Sequence, residues 1–361
     1  MRHARSLEMR RRGGSDGGGD GRDDRTALPR GSIMVFLVAG DANADVSATL
    51  ARFPREGDDS PLLGLGWTSG GSSANVATAI ARLDARARLF ARVGTDPAAD
   101  VALRAAKSAG VDLSAVQRDL VIATGLCFAA VSPGGERTFF SHRGANVALA
   151  EADAEAIFRE VSWLHVGGHA LLEGAQRATT LDLVAEAQRR GVPVSLDLCL
   201  PLIDAAPELV IELVPRLRAL LGNEREMHAF ACALDPSLAS HDAMSVASMW
   251  AIERFSGVSI AVKLGRTGCT VGDDAWICLP GFTVAARDTT GCGDAFVAGF
   301  LLALARGASI EAAGCLGNAL GALTATRAGA AEALPSLAEV RTFLTEHGEL
   351  AALAVLDVPS A

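Results

Sequence analysis

The stretch Asp288-Thr289-Thr290-Gly291-Cys292-Gly293-Asp294 decides the fold of this chain. The alternating residues Phe282 to Ala286 before it predict a β-strand, and the apolar residues Ala295 to Arg306 after it predict a buried helix. A strand, a glycine turn and a helix leave the amides of the first helical turn unpaired, and such amides attract an anion. Because Gly291 and Gly293 lack a Cβ atom, a ligand can come close to the backbone there.

Asp294 stands where this turn becomes the helix. A carboxylate beside an anion-binding turn is suited to act as a base, because it can take a proton from a hydroxyl group. The amides of Gly291, Cys292 and Gly293 would then hold the charge that builds up on a transferred phosphoryl group. Two plainer interpretations stay open at this point: Asp294 as a helix cap, and Cys292 as a small filler residue.

The composition indicates an α/β protein and excludes two kinds of partner. The chain has 361 residues, of which 50% are hydrophobic and 21% charged, enough for one large domain with a small appendage. Its net charge of −9 leaves no electrostatic footprint for nucleic acid. No apolar run reaches the roughly 20 residues that a membrane helix needs, so no membrane partner is expected.

Seven cysteines are scattered singly through the chain, without a C-x-x-C pair. This pattern predicts free thiols in a reducing compartment, so the cytoplasm is the expected location, and the spacing gives no support to a zinc site. Residues 1–32 are rich in Arg, Gly and Asp and predict a disordered N-terminal extension without a secretory signal. Since the ordered pattern begins at Ile33, Met34 is a candidate translation start.

Polar residues follow the first predicted strand. The apolar run 33–39 predicts a central parallel strand, and ligands of open α/β sheets bind beyond the carboxyl ends of such strands. Asn43 and Asp45 come just after this end and, being two residues apart, point the same way in an extended segment. Their donors and acceptors suit a polyhydroxylated substrate, with a polar turn as the alternative.

A glycine pair precedes the next predicted helix. Gly70 and Gly71 permit a close approach to the backbone, and Ser72 can cap the helix. Asn75 lies in the first turn, off the apolar stripe, and is free to face a cavity; a surface asparagine is the alternative.

Three charged or titratable residues in the middle of the chain have plain interpretations. Arg143 follows a hairpin that residues 126–141 predict, and it could meet an acidic sugar or a phosphate. We interpret it instead as a solvated surface charge. His165 and His169 are interpreted as core or rim histidines rather than as ligands.

The second half of the chain alternates between strand and helix patterns, which predicts a parallel sheet with right-handed crossovers. Asn223 and Glu226 open one helix and share a face, which a capping pair or a functional pair explains equally. A later glycine turn with Lys263, Gly265 and Gly268 follows another strand and suits nucleotide phosphates and ribose. Neither a P-loop nor a dinucleotide-binding glycine motif occurs.

These motifs together resemble the ribokinase-like (PfkB) sugar kinases over residues 33–344. The resemblance is carried by four motifs in the family's order: Gly40 to Asp45, Gly70-Gly71 with Asn75, Asn223 with Glu226, and Asp288 to Asp294. It implies a three-layer α/β/α fold with a mostly parallel central sheet and a small β lid. It also implies a kinase domain of residues 33–345 with lid segments at about 46–68 and 122–146, a C-terminal tail of residues 346–361, and a homodimer formed through the lid.

The resemblance also implies the reaction, transfer of the γ-phosphoryl group of ATP to a hydroxyl of a sugar. Asp294 matches the family's base, and the amides of 291–293 match its anion hole. The substrate-binding positions would be Asn43, Asp45, Gly70, Gly71, Ser72 and Asn75. The nucleotide-binding positions would be Asn223, Lys263, Gly265, Gly268 and Asn318. Glu226 would hold Mg²⁺ through water, and Asp288 would border a K⁺ site.

The choice of substrate stays open in the sequence. Ser72 and Ser73 stand where ribokinases usually carry a lysine and a glycine, so ribose is not implied. A nucleoside kinase of the same fold is the nearer alternative, and a non-catalytic sugar-binding relative is the distant one.

Overall fold

The structure is a computed structural model, and it describes residues 34–240, 254–255, 257–273 and 275–357. The predicted extension of residues 1–32 lies outside the described residues. The strands found within them are β1 (Val35–Ala39), β2 (Asn43–Leu50), β3 (Leu62–Gly70), β4 (Arg86–Phe90), β5 (Arg92–Gly94), β6 (Gln117–Asp119), β7 (Gly125–Val131), β8 (Arg137–His142), β9 (Val161–Gly167), β10 (Val194–Asp197), β11 (Ala219–Asn223), β12 (Ser259–Lys263), β13 (Gly268–Gly272) and β14 (Trp276–Pro280).

The α-helices in the same residues connect these strands. They are α1 (Ser72–Arg82), α2 (Pro97–Ser108), α3 (Ala154–Ile157), α4 (Gly174–Arg189), α5 (Leu200–Ala205), α6 (Pro207–Leu213), α7 (Glu224–Leu234), α8 (Cys292–Ala305), α9 (Ile310–Ala325), α10 (Leu337–Glu346) and α11 (Leu350–Leu356).

The central sheet has the strand order β14-β13-β12-β11-β10-β9-β1-β4. Its strands pair in parallel from β4 to β12, and the β12–β13 and β13–β14 pairs are antiparallel. All five residues of β1 are buried, as expected for a strand covered on both faces. Because the carboxyl ends of β10, β11 and β12 meet at one edge, polar residues that end these strands come together there.

Two hydrophobic cores lie on opposite faces of this sheet. Phe36 and Val38 of β1 belong to one core, which the apolar sides of α1, α8 and α9 complete. Leu37 and Ala39 belong to the other, together with α4, α6 and α7. This alternation along one strand confirms the predicted three-layer α/β/α fold.

The predicted lid is a separate four-stranded sheet with the order β3-β2-β7-β8. Strands β2 and β7 pair in parallel, while β2–β3 and β7–β8 are antiparallel. Asp45 pairs with Cys127, which pairs with Ser141, so these residues share the face of the lid that carries Asp45.

One expectation about local structure was wrong. The residues Phe282 to Ala286 form no strand, because they follow β14 at the edge of the sheet and have no further strand to pair with. Phe282 packs instead edge-on against Phe343, with ring centroids 5.0 Å apart. The residues placed in a C-terminal tail include helix α11, whose apolar side is buried in the main core.

No helix in the described part of the chain combines the length and the hydropathy that a bilayer span requires.

Candidate functional site

The turn before α8 leaves the start of that helix open. Gly291 is the N-cap residue, with a left-handed φ of 76°, and no side chain caps the helix there. A Cβ atom at Gly291 would lie 3.1 Å from the Cα of Ala330, so both its conformation and its surroundings favour glycine. The open amides and the dipole of α8 make this turn a site for an anion.

Asp294 lies in the first turn of α8 but does not cap it. Its Oδ1 accepts a 2.7 Å hydrogen bond from the Ser72 hydroxyl, and its Oδ2 accepts one of 2.7 Å from the Asn75 amide. Burial raises the pKa of Asp294 to about 6, although these two hydrogen bonds act to lower it. A carboxylate with this pKa is ionised at neutral pH and is still basic enough to take a proton.

Asp45 and Asn43 project from β2 at the lid side of the site. Burial raises the pKa of Asp45 to about 7, and the charges of Asp294 and Glu332 add to this shift. The carboxyl group lies against Gly70, where an added Cβ atom would come 2.2 Å from Cγ of Asp45. Asn43 accepts a 2.7 Å hydrogen bond from the Asn146 side chain.

The two remaining substrate-binding candidates are Gly71 and Asn75. Gly71 packs against the loop after β1, and Asn75 faces the site. Gly71 has φ 87°, and a Cβ atom there would lie 2.4 Å from the backbone oxygen of Asp41. The Oδ1 of Asn75 is buried without a hydrogen-bond partner among the described residues. An unpaired buried acceptor costs free energy unless a ligand or water supplies a donor, so this atom marks a binding position.

A cavity of about 560 Å³ adjoins the turn, and Thr289, Cys292 and Gly293 line it. Seven residues predicted for nucleotide or anion binding line it: Asn223, Lys263, Gly265, Gly268, Cys292, Gly293 and Asn318. Its apolar walls, which the motifs did not identify, include Phe282, Val284, Phe296 and Ala322. A cavity with apolar walls at one end and an open helix terminus at the other suits a nucleotide.

The ammonium group of Lys263 is held at the mouth of this cavity. Its Nζ atom donates to both carboxylate oxygens of Asp197, at 2.7 and 2.9 Å. Burial disfavours the charged amine, but the charges of Asp197 and Glu226 outweigh burial and raise the pKa of Lys263. A Cβ atom at Gly293 would lie 3.6 Å from Nζ, so the ammonium is next to the open turn.

Asn223 and Glu226 form a capping box at the start of α7. The Asn223 side chain accepts from the amide of Glu226 at 3.0 Å, and the Glu226 side chain accepts from the amide of Asn223 at 2.7 Å. Burial raises the pKa of Glu226 to about 7, and the charge of Asp197 adds to it. The capping interpretation therefore holds structurally, while Asn223 also lines the cavity.

Asp288 accepts four hydrogen bonds, three at Oδ1 and one at Oδ2. Its Oδ1 accepts from the amide and hydroxyl of Thr290 and from Arg137, and its Oδ2 accepts from the amide of Gly329. Burial alone would raise the pKa of Asp288, but these bonds lower it to about 2. Asp288 thus ties together the turn, the loop after α9 and the lid.

The interpretation of Arg143 as a solvated surface charge was wrong. Its side chain is only 18% exposed, because Asp41 and Gln176 draw the guanidinium inward. It donates to Asp41 at 3.0 Å and to Gln176 at 2.6 Å. His165 is a core histidine, fully buried, with Nδ1 2.9 Å from the Ser195 hydroxyl.

Several residues near the site were missed in the sequence: Arg137, Asn146, Gln176, Asp197 and Glu332. Asp197 ends β10 at the sheet edge, a position that the strand pattern alone could have flagged. The others reach the site through contacts between distant parts of the chain, which leave no local pattern.

The comparisons with known proteins agree with this geometry. The family model described as "pfkB family carbohydrate kinase" matches residues 36–337. The ATP-dependent ribose-1-phosphate kinase of Halopiger xanaduensis is 33% identical over 318 residues, which cover 87% of this chain and 99% of that protein. Fructokinase-2 of Zea mays is 30% identical over 294 residues, 77% of this chain and 85% of that protein.

A solved structure agrees as well. It is a double mutant of the Vibrio cholerae O395 fructokinase in its fructose-, ADP- and potassium-bound form, 26% identical to this chain with a TM-score of 0.68. The match covers 87% of this chain and 99% of that one. With the family model matching most of its length, this chain belongs to the PfkB family of carbohydrate kinases and is an ATP-dependent sugar kinase.

Proposed function

We propose that Asp294 is the base that activates the accepting hydroxyl of the sugar. The observation that carries this proposal is the position of its carboxylate, between Asp45 on the lid side and the open start of α8 on the cavity side. The hydroxyl proton passes to Asp294 as the sugar oxygen bonds to the γ-phosphorus of ATP. The bond from that phosphorus to the bridging oxygen breaks, and ADP leaves.

The amides of Gly291, Cys292 and Gly293 hold the charge on the transferred group, and that of Cys292 leaves the Thr289 carbonyl oxygen, 3.3 Å away, to do so. They are fixed in place before the reaction, so little reorganisation is needed as the charge develops. Lys263 adds a full positive charge beside Gly293 and faces the phosphates of ATP. Asp197 keeps this ammonium oriented.

Asp45 and Asn43 bind the sugar with Asn75, while Gly70 leaves room for the Asp45 carboxyl group and Gly71 for the backbone after β1. The negative charge of Asp294 adds to the burial that raises the pKa of Asp45. Asp45 with a pKa near 7 exists in both protonation states at neutral pH, so it can accept from or donate to a sugar hydroxyl.

Magnesium fits the acidic residues Glu226 and Asp197, which contact the cavity-lining residues Asn223 and Lys263. The charge of Asp197 lies close enough to raise the pKa of Glu226. A cation bound between them relieves this repulsion. No group of three or more metal-ligating side chains lies among the described residues, which supports Mg²⁺ held mainly by phosphates and water. Bound there, Mg²⁺ would offset phosphate charge, with Glu226 reaching it through water and Asn223 orienting the phosphates.

Potassium fits Asp288 poorly. Three of the four donors to Asp288 meet at Oδ1, where Arg137 already supplies a positive charge, and the fourth, the amide of Gly329, meets Oδ2. No step of the reaction is therefore assigned to potassium.

The substrate is a carbohydrate, and a panel of acceptors identifies which one. ADP release with Mg·ATP is measured against ribose, ribose 1-phosphate, fructose, fructose phosphates, 2-keto-3-deoxygluconate, adenosine and inosine. Strong turnover with one sugar or sugar phosphate is expected. Turnover with nucleosides alone would replace the sugar assignment, and no turnover of any acceptor by folded protein would overturn it.

The outer face of the lid supports a homodimer. Trp67, Leu65 and Phe140 share the face opposite Asp45 and are 45%, 57% and 55% exposed. A contiguous apolar surface of this kind is a docking surface, and a second lid is its occupant. Light scattering that shows a monomer at micromolar concentration would contradict this. Seven free cysteines support a cytoplasmic location.

A further inference from the structure

Arg137 joins the lid to the turn that carries the anion site. It opens β8, the edge strand of the lid, and lies four residues before Ser141, so it projects from the same face as Asp45. Its side chain is 35% exposed and reaches a part of the chain 151 positions away. No other lid residue with a described ion pair contacts this turn.

The contacts of Arg137 are made to two side chains of the turn. One guanidinium nitrogen donates to the Thr290 hydroxyl at 2.7 Å and to Oδ1 of Asp288 at 3.0 Å. Thr290 in turn donates from its hydroxyl to Asp288 at 2.7 Å. Gly291, whose left-handed conformation opens the start of α8, follows directly. A shift of Arg137 therefore changes the support of the anion site.

We propose that Arg137 is a tethered cation that takes the place of a free monovalent cation at Asp288. The guanidinium is one of three donors at Oδ1, while Oδ2 accepts only the amide of Gly329, and it supplies the positive charge that pairs with Asp288. Because this charge is attached to the lid, it is delivered when the lid lies over the site. Arg137 is thus a positioning residue that couples lid closure to the geometry of the turn.

Two consequences follow, and both rest on the proposed phosphoryl transfer at this turn. The wild-type enzyme does not need potassium, because its carboxylate is already neutralised. Removing the guanidinium opens an acceptor position on Asp288, and a free cation can then bind there. The loss affects kcat more than the KM for ATP, because neither Arg137 nor its partners Asp288 and Thr290 line the nucleotide cavity.

The test compares Arg137→Gln with wild type at equal ionic strength in KCl and in tetramethylammonium chloride. The matched control is Arg52→Gln, which breaks another lid ion pair, with Asp58 at 2.6 Å, away from the turn. We expect wild type and Arg52→Gln to show the same kcat and the same Tm in both salts. We expect Arg137→Gln to lose about 10- to 100-fold in kcat in tetramethylammonium, the effect of one charge-assisted hydrogen-bond group, and to recover partly in KCl.

Thermal stability gives a readout that needs no turnover. A Tm of Arg137→Gln that rises in KCl but not in tetramethylammonium supports a cation position vacated by the guanidinium. The proposal is overturned if wild type requires KCl for activity or stability, or if Arg137→Gln behaves like Arg52→Gln. If no acceptor is phosphorylated, the proposed function fails, while the Tm comparison still decides the role of Arg137.

Discussion

The nucleotide cavity and the lid side of the site are assembled in different ways. The cavity takes its polar residues from the ends of neighbouring strands and the start of α8, each within a short motif. The lid side depends on pairs that lie more than 100 positions apart, such as Asn43 with Asn146 and Arg137 with Asp288. Local motifs therefore predict the first region well, whereas the second becomes visible only in the folded chain.

Asp294 joins the two regions, and its removal is expected to have the largest effect. Asp294→Asn keeps hydrogen-bonding capacity near Ser72 and Asn75 but removes the base, so kcat should fall by about 10²- to 10⁴-fold. Sugar affinity should stay within a few-fold of wild type. Steady-state kinetics with a sugar-binding titration checks both, with the exposed Asp182→Asn as control. Unchanged turnover would falsify the base assignment.

Substitution of Lys263 tests whether its charge serves catalysis or only pairs with Asp197. Lys263→Met should lower kcat by about 100-fold and stability by about 3 kcal/mol, because it leaves Asp197 buried without its partner. The double variant Lys263→Met with Asp197→Asn removes that unpaired charge, so its stability should recover. Denaturant unfolding and kinetics are measured together. A double variant that also regains activity would show that Lys263 only neutralises Asp197.

Gly70 tests the lid side without changing any charge. An added Cβ atom would come 2.2 Å from the Asp45 carboxyl, so Gly70→Ala should displace it and lower kcat/KM for the sugar by about 10-fold. The KM for ATP should not change. Gly66→Ala is the matched control, since it lies in the same strand and its Cβ atom would meet nothing within 4 Å. Equal effects of the two variants would refute the steric argument.

The sequence predicts the sheet, the lid and the anion turn, because each depends on local periodicity or glycine chemistry. The strand pattern could have identified Asp197, because this residue ends β10 at the sheet edge that carries the site. Arg143 was not, because its burial depends on Asp41 and Gln176, which only the fold brings near. The alternating segment before the turn failed for a related reason: a strand pattern predicts pairing only where a neighbouring strand exists.

The pH dependence of the reaction offers the smallest and finest test. With the pKa of Asp294 at about 6, kcat/KM should be half its plateau near pH 6 and fall about tenfold per unit below it, because the protonated carboxyl cannot act as a base. The Ser72 hydroxyl stabilises the ionised form, so Ser72→Ala should move this limb to higher pH. The exposed Ser108→Ala should leave it in place. A limb that moves to lower pH in Ser72→Ala would mean that another group controls it, and Asp45, with its higher pKa, would be the next residue to substitute.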